Sequence, residues 1–169
     1  KHERVVTIED SAELRLQGID NLVRLEARLP GPDGHGSIDI GKLIRTALRM
    51  RPDRIIVGEV RGEEAAEMLH ALHTGHPGSL CTGHANSCTE MLNRLATMVM
   101  AGSSLPFDAV IRQIEMGIDI LVHIRRNSDG KRVINEICRM GPSSNDRLIA
   151  LPVFIRKEQN LEKHVAINS

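Results

Sequence analysis

Glu59 follows directly on the uninterrupted apolar run Ile55-Ile56-Val57 and Gly58. A short apolar run bounded by polar residues is what a strand buried on both faces of a parallel sheet requires. Open α/β sheets receive ligands beyond the carboxyl ends of such strands. A carboxylate there can hold a divalent cation or orient an attacking water, or it can simply accept a loop amide in a turn. Glu9 and Asp10 repeat the arrangement after Val5-Val6-Thr7-Ile8. Two strands tipped with acids could converge on one site, and the simpler alternative is an acid capping a turn.

An apolar strand ending in an acid is also the Walker B pattern of nucleoside-triphosphate hydrolases. The segment Gly36-Ser37-Ile38-Asp39-Ile40-Gly41-Lys42-Leu43 matches GxxxxGK but fails as a phosphate loop. Leu43 carries no hydroxyl for Mg²⁺, no strand precedes the segment, and Ile38 and Ile40 do not suit an anion nest. His70, His73, His76 and His84 form a histidine-rich stretch in which zinc is conceivable, but Gly75 and Pro77 break the helical register before His76 can join the first two. His84 stands at the end of a strand-like segment, where it could bond a phosphate, a water or the start of the next helix. Arg45, Arg49, Arg51, Arg54 and Arg61 surround the Glu59 strand. Such arginines form a solvated face or offset the charge of a phosphoryl transition state.

These residues need a scaffold of alternating elements. The spacing predicts strands over Arg4–Ile8, Leu22–Ala27, Arg54–Val57 and Ser79–Thr82. Helices are predicted after a Ser37 cap with Ile40, Leu43, Ile44, Ala47 and Leu48 inward, and then with Ala65, Met68, Leu69 and Leu72 inward. Two more begin near Ser87 and after Pro106, the last burying Phe107, Val110, Ile111 and Ile114. From Ile118 the period changes to two, predicting a β-hairpin that turns at Asn127-Ser128-Asp129-Gly130. Pro152 marks Arg147–Ile155 as an edge strand. The expected fold class is α/β, with antiparallel strands added at the C-terminal end.

The chain has 169 residues, with 22 Lys+Arg against 22 Asp+Glu, two Phe and no Trp or Tyr. Charge balance leaves no field for a nucleic-acid backbone or an anionic membrane, and aromatic stacking platforms are nearly absent, so nucleic-acid binding is not expected. Cys81, Cys88 and Cys138 are odd in number and lie in aliphatic segments, as in the buried thiols of a reducing compartment. No apolar run reaches the length of a membrane span, and a cytoplasmic location is expected. The chain opens on Lys1 with a strand close behind and reads as a piece of something longer.

Three segments in order, Val6-Thr7-Ile8-Glu9-Asp10-Ser11-Ala12-Glu13-Leu14, Leu48 to Gly62 around Ile55-Ile56-Val57-Gly58-Glu59, and Thr74 to Ser87 around Thr82-Gly83-His84-Ala85-Asn86, carry a family resemblance. They resemble the Asp box, Walker B and His box of the type II and type IV secretion ATPases, most of all the tight-adherence (Tad/Flp) pilus ATPases. The resemblance covers about Arg4 to Met140. It implies a RecA-like P-loop NTPase core, partial here, with a mostly parallel sheet flanked by helices and a C-terminal antiparallel hairpin. It implies a homo-hexamer that binds ATP with Mg²⁺ on the cytoplasmic face of the inner membrane. There it would work with an inner-membrane platform protein in pilus assembly or protein export.

Carried over by residue, Glu59, Glu9 and His84 are the catalytic positions. Asp10, Arg49, Arg61, Thr82 and Asn86 are nucleotide-binding positions, and Mg²⁺ arrives with ATP at Glu59, no metal being bound by the chain alone. Which of Glu9 and Glu59 polarises the water stays open. A Walker A loop is expected just upstream, so residues 1–156 read as the C-terminal part of the ATPase domain, inactive alone, and 157–169 as a loosely ordered polar tail. The four-cysteine zinc module of the type II branch has no counterpart, since six residues separate Cys81 from Cys88 and no second pair follows. The rival readings are a non-catalytic assembly module and a metal-dependent hydrolase built on the His70–His84 stretch.

Overall fold

The computed structural model describes residues 2–144, 147–157 and 160–163. In chain order the elements are β1 (Arg4–Glu9), β2 (Asn21–Glu26), α1 (Ile40–Leu48), β3 (Arg54–Val57), α2 (Glu64–His73), β4 (Leu80–Cys81), α3 (Cys88–Ala101), α4 (Phe107–Gly117), β5 (Ile120–Arg126), β6 (Arg132–Ser144), β7 (Arg147–Lys157) and β8 (Asn160–Lys163). They fall into two compact units, Lys1–Gly83 with Met98–Ser104, and His84–Thr97 with Leu105–Ser169.

The first unit is a parallel sheet in the order β2-β1-β3-β4. Val5, Val6, Thr7 and Ile8 of β1 are all buried, as β-branched residues on an interior strand should be. α1 carries the chain from β2 past β1 to β3, α2 carries it from β3 to β4, and the two helices pack on each other. Ile40, Leu43, Ile44 and Ala47 form the buried stripe of α1. Its cap is Asp39 rather than Ser37, with Oδ1 accepting the Lys42 N–H at 2.7 Å. Ser37 comes too early, because Ile38 is still held to Arg28 by reciprocal amide bonds of 2.9 Å. α1 is closed by Arg51 in the left-handed region at φ 52°, directly before Pro52, which cannot continue a helix. In α2 the buried residues are Ala65, Met68, Leu69 and Ala71, with Leu72 half-buried.

The second unit carries a separate antiparallel sheet, β5-β6-β7-β8, in which the expected hairpin is β5–β6 and two further strands extend it. β7 is therefore interior. Pro152 is tolerated there because it lies where the β6–β7 register shifts between Ile137 and Cys138, and a bulge needs no donor at the proline. The alternation in β5 is real but faces the other way from its apolar content. Ile120, Val122 and Ile124 are 57%, 51% and 57% exposed, whereas Leu121 and His123 are half-buried. A period of two fixes which residues share a face, not which face is covered. α4 packs on β6 and β7 through Val110, Ile111 and Ile114. Phe107, at its first position, is 43% exposed instead of buried.

Glu115 of α4 ties to the sheet by accepting the Ser143 N–H and Oγ–H at 3.1 and 2.7 Å. Of the expected loose tail, Asn160–Lys163 is strand β8 paired with β7, and 164–169 lie outside the described residues. No helix among the described residues is long and apolar enough to cross a membrane.

Ile114 is fully buried and Met116, two residues on, is exposed. Ile114→Ala is expected to cost roughly 2–5 kcal/mol, and Met116→Ala less than about 0.5 kcal/mol. Urea unfolding of the two variants checks this, and equal losses would contradict the packing of α4.

Candidate functional site

β1 hands the chain to β2 on one side and β3 hands it through α2 to β4 on the other. The strand order therefore reverses between β1 and β3, and the crevice beyond their carboxyl ends is where such sheets bind ligands. The pairing runs one residue past β3, with Gly58 N–H donating to the Ile8 carbonyl at 2.8 Å. Glycine is needed there, since a Cβ would lie 2.9 Å from Glu9 Cγ and 3.4 Å from the Ile8 carbonyl oxygen. The backbones of the two acid-bearing strand ends can thus lie side by side.

The acids then part company. Glu9 is buried, 5% exposed, and its Oε1 accepts the N–H groups of Glu13 and Leu14 at 3.0 and 2.9 Å. It anchors the loop that leaves β1. Glu59 Oε2 instead pairs with Arg61 Nη2 at 2.6 Å, and Arg61 Nη1 reaches to 3.9 Å from Asp10 Oδ2. Arg61 thereby links the acids of both strand ends. The hydrogen bond to Glu59, followed by its charge, raises the guanidinium above its ordinary value. Thr82 donates its hydroxyl to the Gly58 carbonyl, and its own carbonyl accepts the Val60 N–H at 3.0 Å. Thr82 thus clamps the turn that presents Glu59. An open cavity of about 720 Å³ begins at Asp10 and Arg61 and extends to Asp39, Arg45 and Glu64.

Other candidates lie elsewhere. Arg49 caps the C-terminus of α1, where the chain turns toward the start of β3, so it sits at the amino-terminal edge of the sheet, opposite Glu59. Arg45 pairs with Glu67 and Arg54 with Glu3, so of the arginines around β3 it is Arg61 that reaches Glu59. Within Gly36–Leu43 the amides of Ile38, Lys42 and Leu43 already have partners. Asp39 takes the Lys42 and Leu43 N–H groups with its carboxylate and carbonyl, and thereby places a negative charge where a phosphate would have to sit.

His84 and Asn86 belong to the second unit. Asn86 donates its backbone N–H and Nδ2 to Glu90 Oε2 at 3.2 and 2.8 Å, while Glu90 N–H donates to Ser87 Oγ at 3.1 Å. Together they cap α3. The His84 side chain is exposed, and its carbonyl accepts Arg94 Nη1 at 2.9 Å. His70 and His73 are exposed on α2, and His76 Nδ1 lies 3.2 Å from the Ala71 carbonyl at that helix's end. Among the described residues the histidines do not assemble into a metal-binding set. The group that does come together is Cys88, Glu136 and Cys138. Sequence spacing hid it, since 49 residues separate the two cysteines. The one local signal was the i, i+2 placement of Glu136 and Cys138 on a strand.

A parallel sheet with acids at the carboxyl ends of its two central strands, beside a switch in strand order, defines an open α/β protein with its ligand crevice at that end. The chain belongs to the family described as type II/IV secretion system protein, which it matches over residues 1–143. A putative conjugal transfer protein of Mycobacterium tuberculosis is 42% identical over 135 residues, covering 80% of this chain and 38% of that protein. The type IV secretion system protein PtlH of Bordetella pertussis is 40% identical over 129 residues, covering 75% and 38%. The crystal structure of the VirB11 ATPase of the Brucella suis type IV secretion system, in complex with sulphate, superposes with a TM-score of 0.70 at 35% identity over 81% of this chain and 40% of that one. The fold is thus α/β and RecA-like, with an added antiparallel sheet. The chain spans about 38% of the length of these curated relatives.

Two outcomes follow. Glu9→Ala leaves two part-buried loop amides without their acceptor and is expected to cost roughly 1–3 kcal/mol, while Glu9→Gln, which keeps an acceptor oxygen, loses less than half of that. Urea unfolding measures both. Burial pushes the Cys81 thiol up to about 11 from its ordinary value of 9.0. The folded chain then holds a proton that the unfolded chain releases, so stability is full below pH 9 and falls as pH rises from 9 toward 11. Cys81→Ala should flatten that part of the stability profile, and an unchanged slope would refute the assignment.

Proposed function

We propose that the chain is the C-terminal part of a secretion or pilus-assembly ATPase, a homo-hexamer working from the cytoplasm with an inner-membrane platform protein. The tight-adherence branch fits its three motifs best. The observation that carries this reading is the Arg61 link between Glu59 and Asp10 at the crevice between β1 and β3. It gathers two acids and a cation where the family membership calls for nucleotide.

Glu59 is the Walker B acid in this reading. It orients the attacking water, because Glu9 already holds two loop amides and is buried. Arg61 holds Glu59 in place and offers positive charge to phosphoryl oxygens. Thr82 fixes the turn carrying Glu59, so its contribution is positional. The hard carboxylate oxygens of Glu59 and Asp10 suit Mg²⁺, which when bound with ATP would neutralise charge on the phosphates. His84 and Asn86 stay assigned to the nucleotide through the His-box resemblance, and Arg49, at the far edge of the sheet, to a neighbouring subunit. The phosphates themselves need a loop that Gly36–Leu43 does not supply, so this chain alone is expected to be inactive. The histidine-based hydrolase gains no support from histidines that stay apart.

In the complete hexamer, Glu59→Gln should keep ATP binding and lose turnover by roughly 10²- to 10⁴-fold. His84→Ala should lose more turnover than His70→Ala, whose side chain lies on the exposed side of α2. Steady-state ATPase assays with parallel nucleotide titration check both, and near-normal turnover in Glu59→Gln would refute the assignment.

A further inference from the structure

We propose that Cys88, Cys138 and Glu136 form a site for a thiophilic divalent cation, zinc first among them. One donor atom from each residue lies within 4.8 Å of the others. A tetrahedron with zinc–sulfur bonds of about 2.3 Å has edges of roughly 3.8 Å, so the donors need to close by no more than about 1 Å. Cys88 is the first residue of α3, and Glu136 and Cys138 lie two apart on β6. A helix end and a strand thus supply ligands from two rigid elements.

Each residue has a plainer account, and together those accounts fall short. Glu136 Oε1 accepts the Cys88 N–H at 2.7 Å, which explains a helix cap. Cys88 and Cys138 are both buried, as small apolar residues often are. Neither account explains why two thiols and a carboxylate come together, or why a histidine faces the same way. His123 pairs directly across the strands with Glu136, and its Nδ1 lies 3.7 Å from Glu136 Oε1. It occupies an inward position of β5 while Ile120, Val122 and Ile124 take the exposed face. Sulfur, oxygen and nearby nitrogen donors with little solvent exposure are the donor types that structural zinc takes. His123 or a water would complete four-coordination.

Charge and protons balance. Binding releases the two thiol protons to solvent, and two thiolates with one carboxylate against a divalent ion leave one net negative charge. That charge lies at the N-terminus of α3, where the helix dipole favours it. The site lies wholly within the second unit.

The test uses the full chain, purified with reductant and without chelator. Zinc measured by mass spectrometry after desalting, and titration with Co²⁺, should give one ion per chain, with a thiolate-to-cobalt charge-transfer band and the visible intensity of tetrahedral cobalt. Cys138→Ala should remove the band and most of the bound zinc. Glu136→Gln keeps an acceptor for the Cys88 amide, so it should fold normally by circular dichroism while binding roughly 10- to 100-fold more weakly. The double variant His70→Ala/His73→Ala should bind as the parent does. Absence of the charge-transfer band, retention of zinc in folded Cys138→Ala, or a Cys88–Cys138 disulfide in the chain as isolated would each overturn the proposal.

Discussion

The parallel pairing of β1 with β3 is the constraint on which the first unit depends. It sets Val6 beside Ile55 and Ile8 beside Val57, and the extra bond from Gly58 to Ile8 carries the register past the strand end. Acids on adjacent parallel strands can share a crevice because both chains run the same way. The switch in strand order leaves that crevice uncovered by a crossover. Everything placed there, Glu59, Asp10, Arg61 and the clamp from Thr82, inherits its position from this register.

The way the chain uses its acids separates structure from chemistry. Asp39 caps α1, Glu64 Oε1 takes the Arg61 and Gly62 amides ahead of α2, Glu90 closes the cap of α3, and Glu9 holds the loop after β1. Each satisfies a backbone donor that burial or a helix start would otherwise leave without a partner. Glu59 and Asp10 face a guanidinium instead. A carboxylate paired with an exposed cation can exchange that partner for a ligand at modest cost, whereas one that is itself buried and holds two loop amides cannot.

Much of this was legible in the sequence, and what was not shares a cause. β1, β2, β3 and the four helices follow from apolar runs and 3.6-residue spacing, which are local. The acid after Val57 could be placed at a strand end for the same reason. What could not be read was partner choice across distance. That Glu9 would turn to the amides of Glu13 and Leu14, that Arg49 would lie at the far edge, and that β5 would turn its isoleucines outward depend on contacts between separated segments. The Pro152 strand was expected at an edge because a missing donor is local, while the bulge that accommodates it is set by the β6 partner. The trio Cys88, Glu136 and Cys138 is legible only once α3 and β6 are folded.

The close approach of Gly58 to Glu9 has an evolutionary consequence. The two positions lie 49 residues apart in sequence yet occupy one another's space, with Glu9 Cγ where a side chain on residue 58 would have to go. Their substitutions are therefore epistatic. Any side chain at 58 forces the buried carboxylate to move and release its two amides, while shortening residue 9 alone opens a void that a larger residue 58 could fill. Drift through either single change passes a stability minimum, so the pair is expected to change together or to stay as glycine and glutamate.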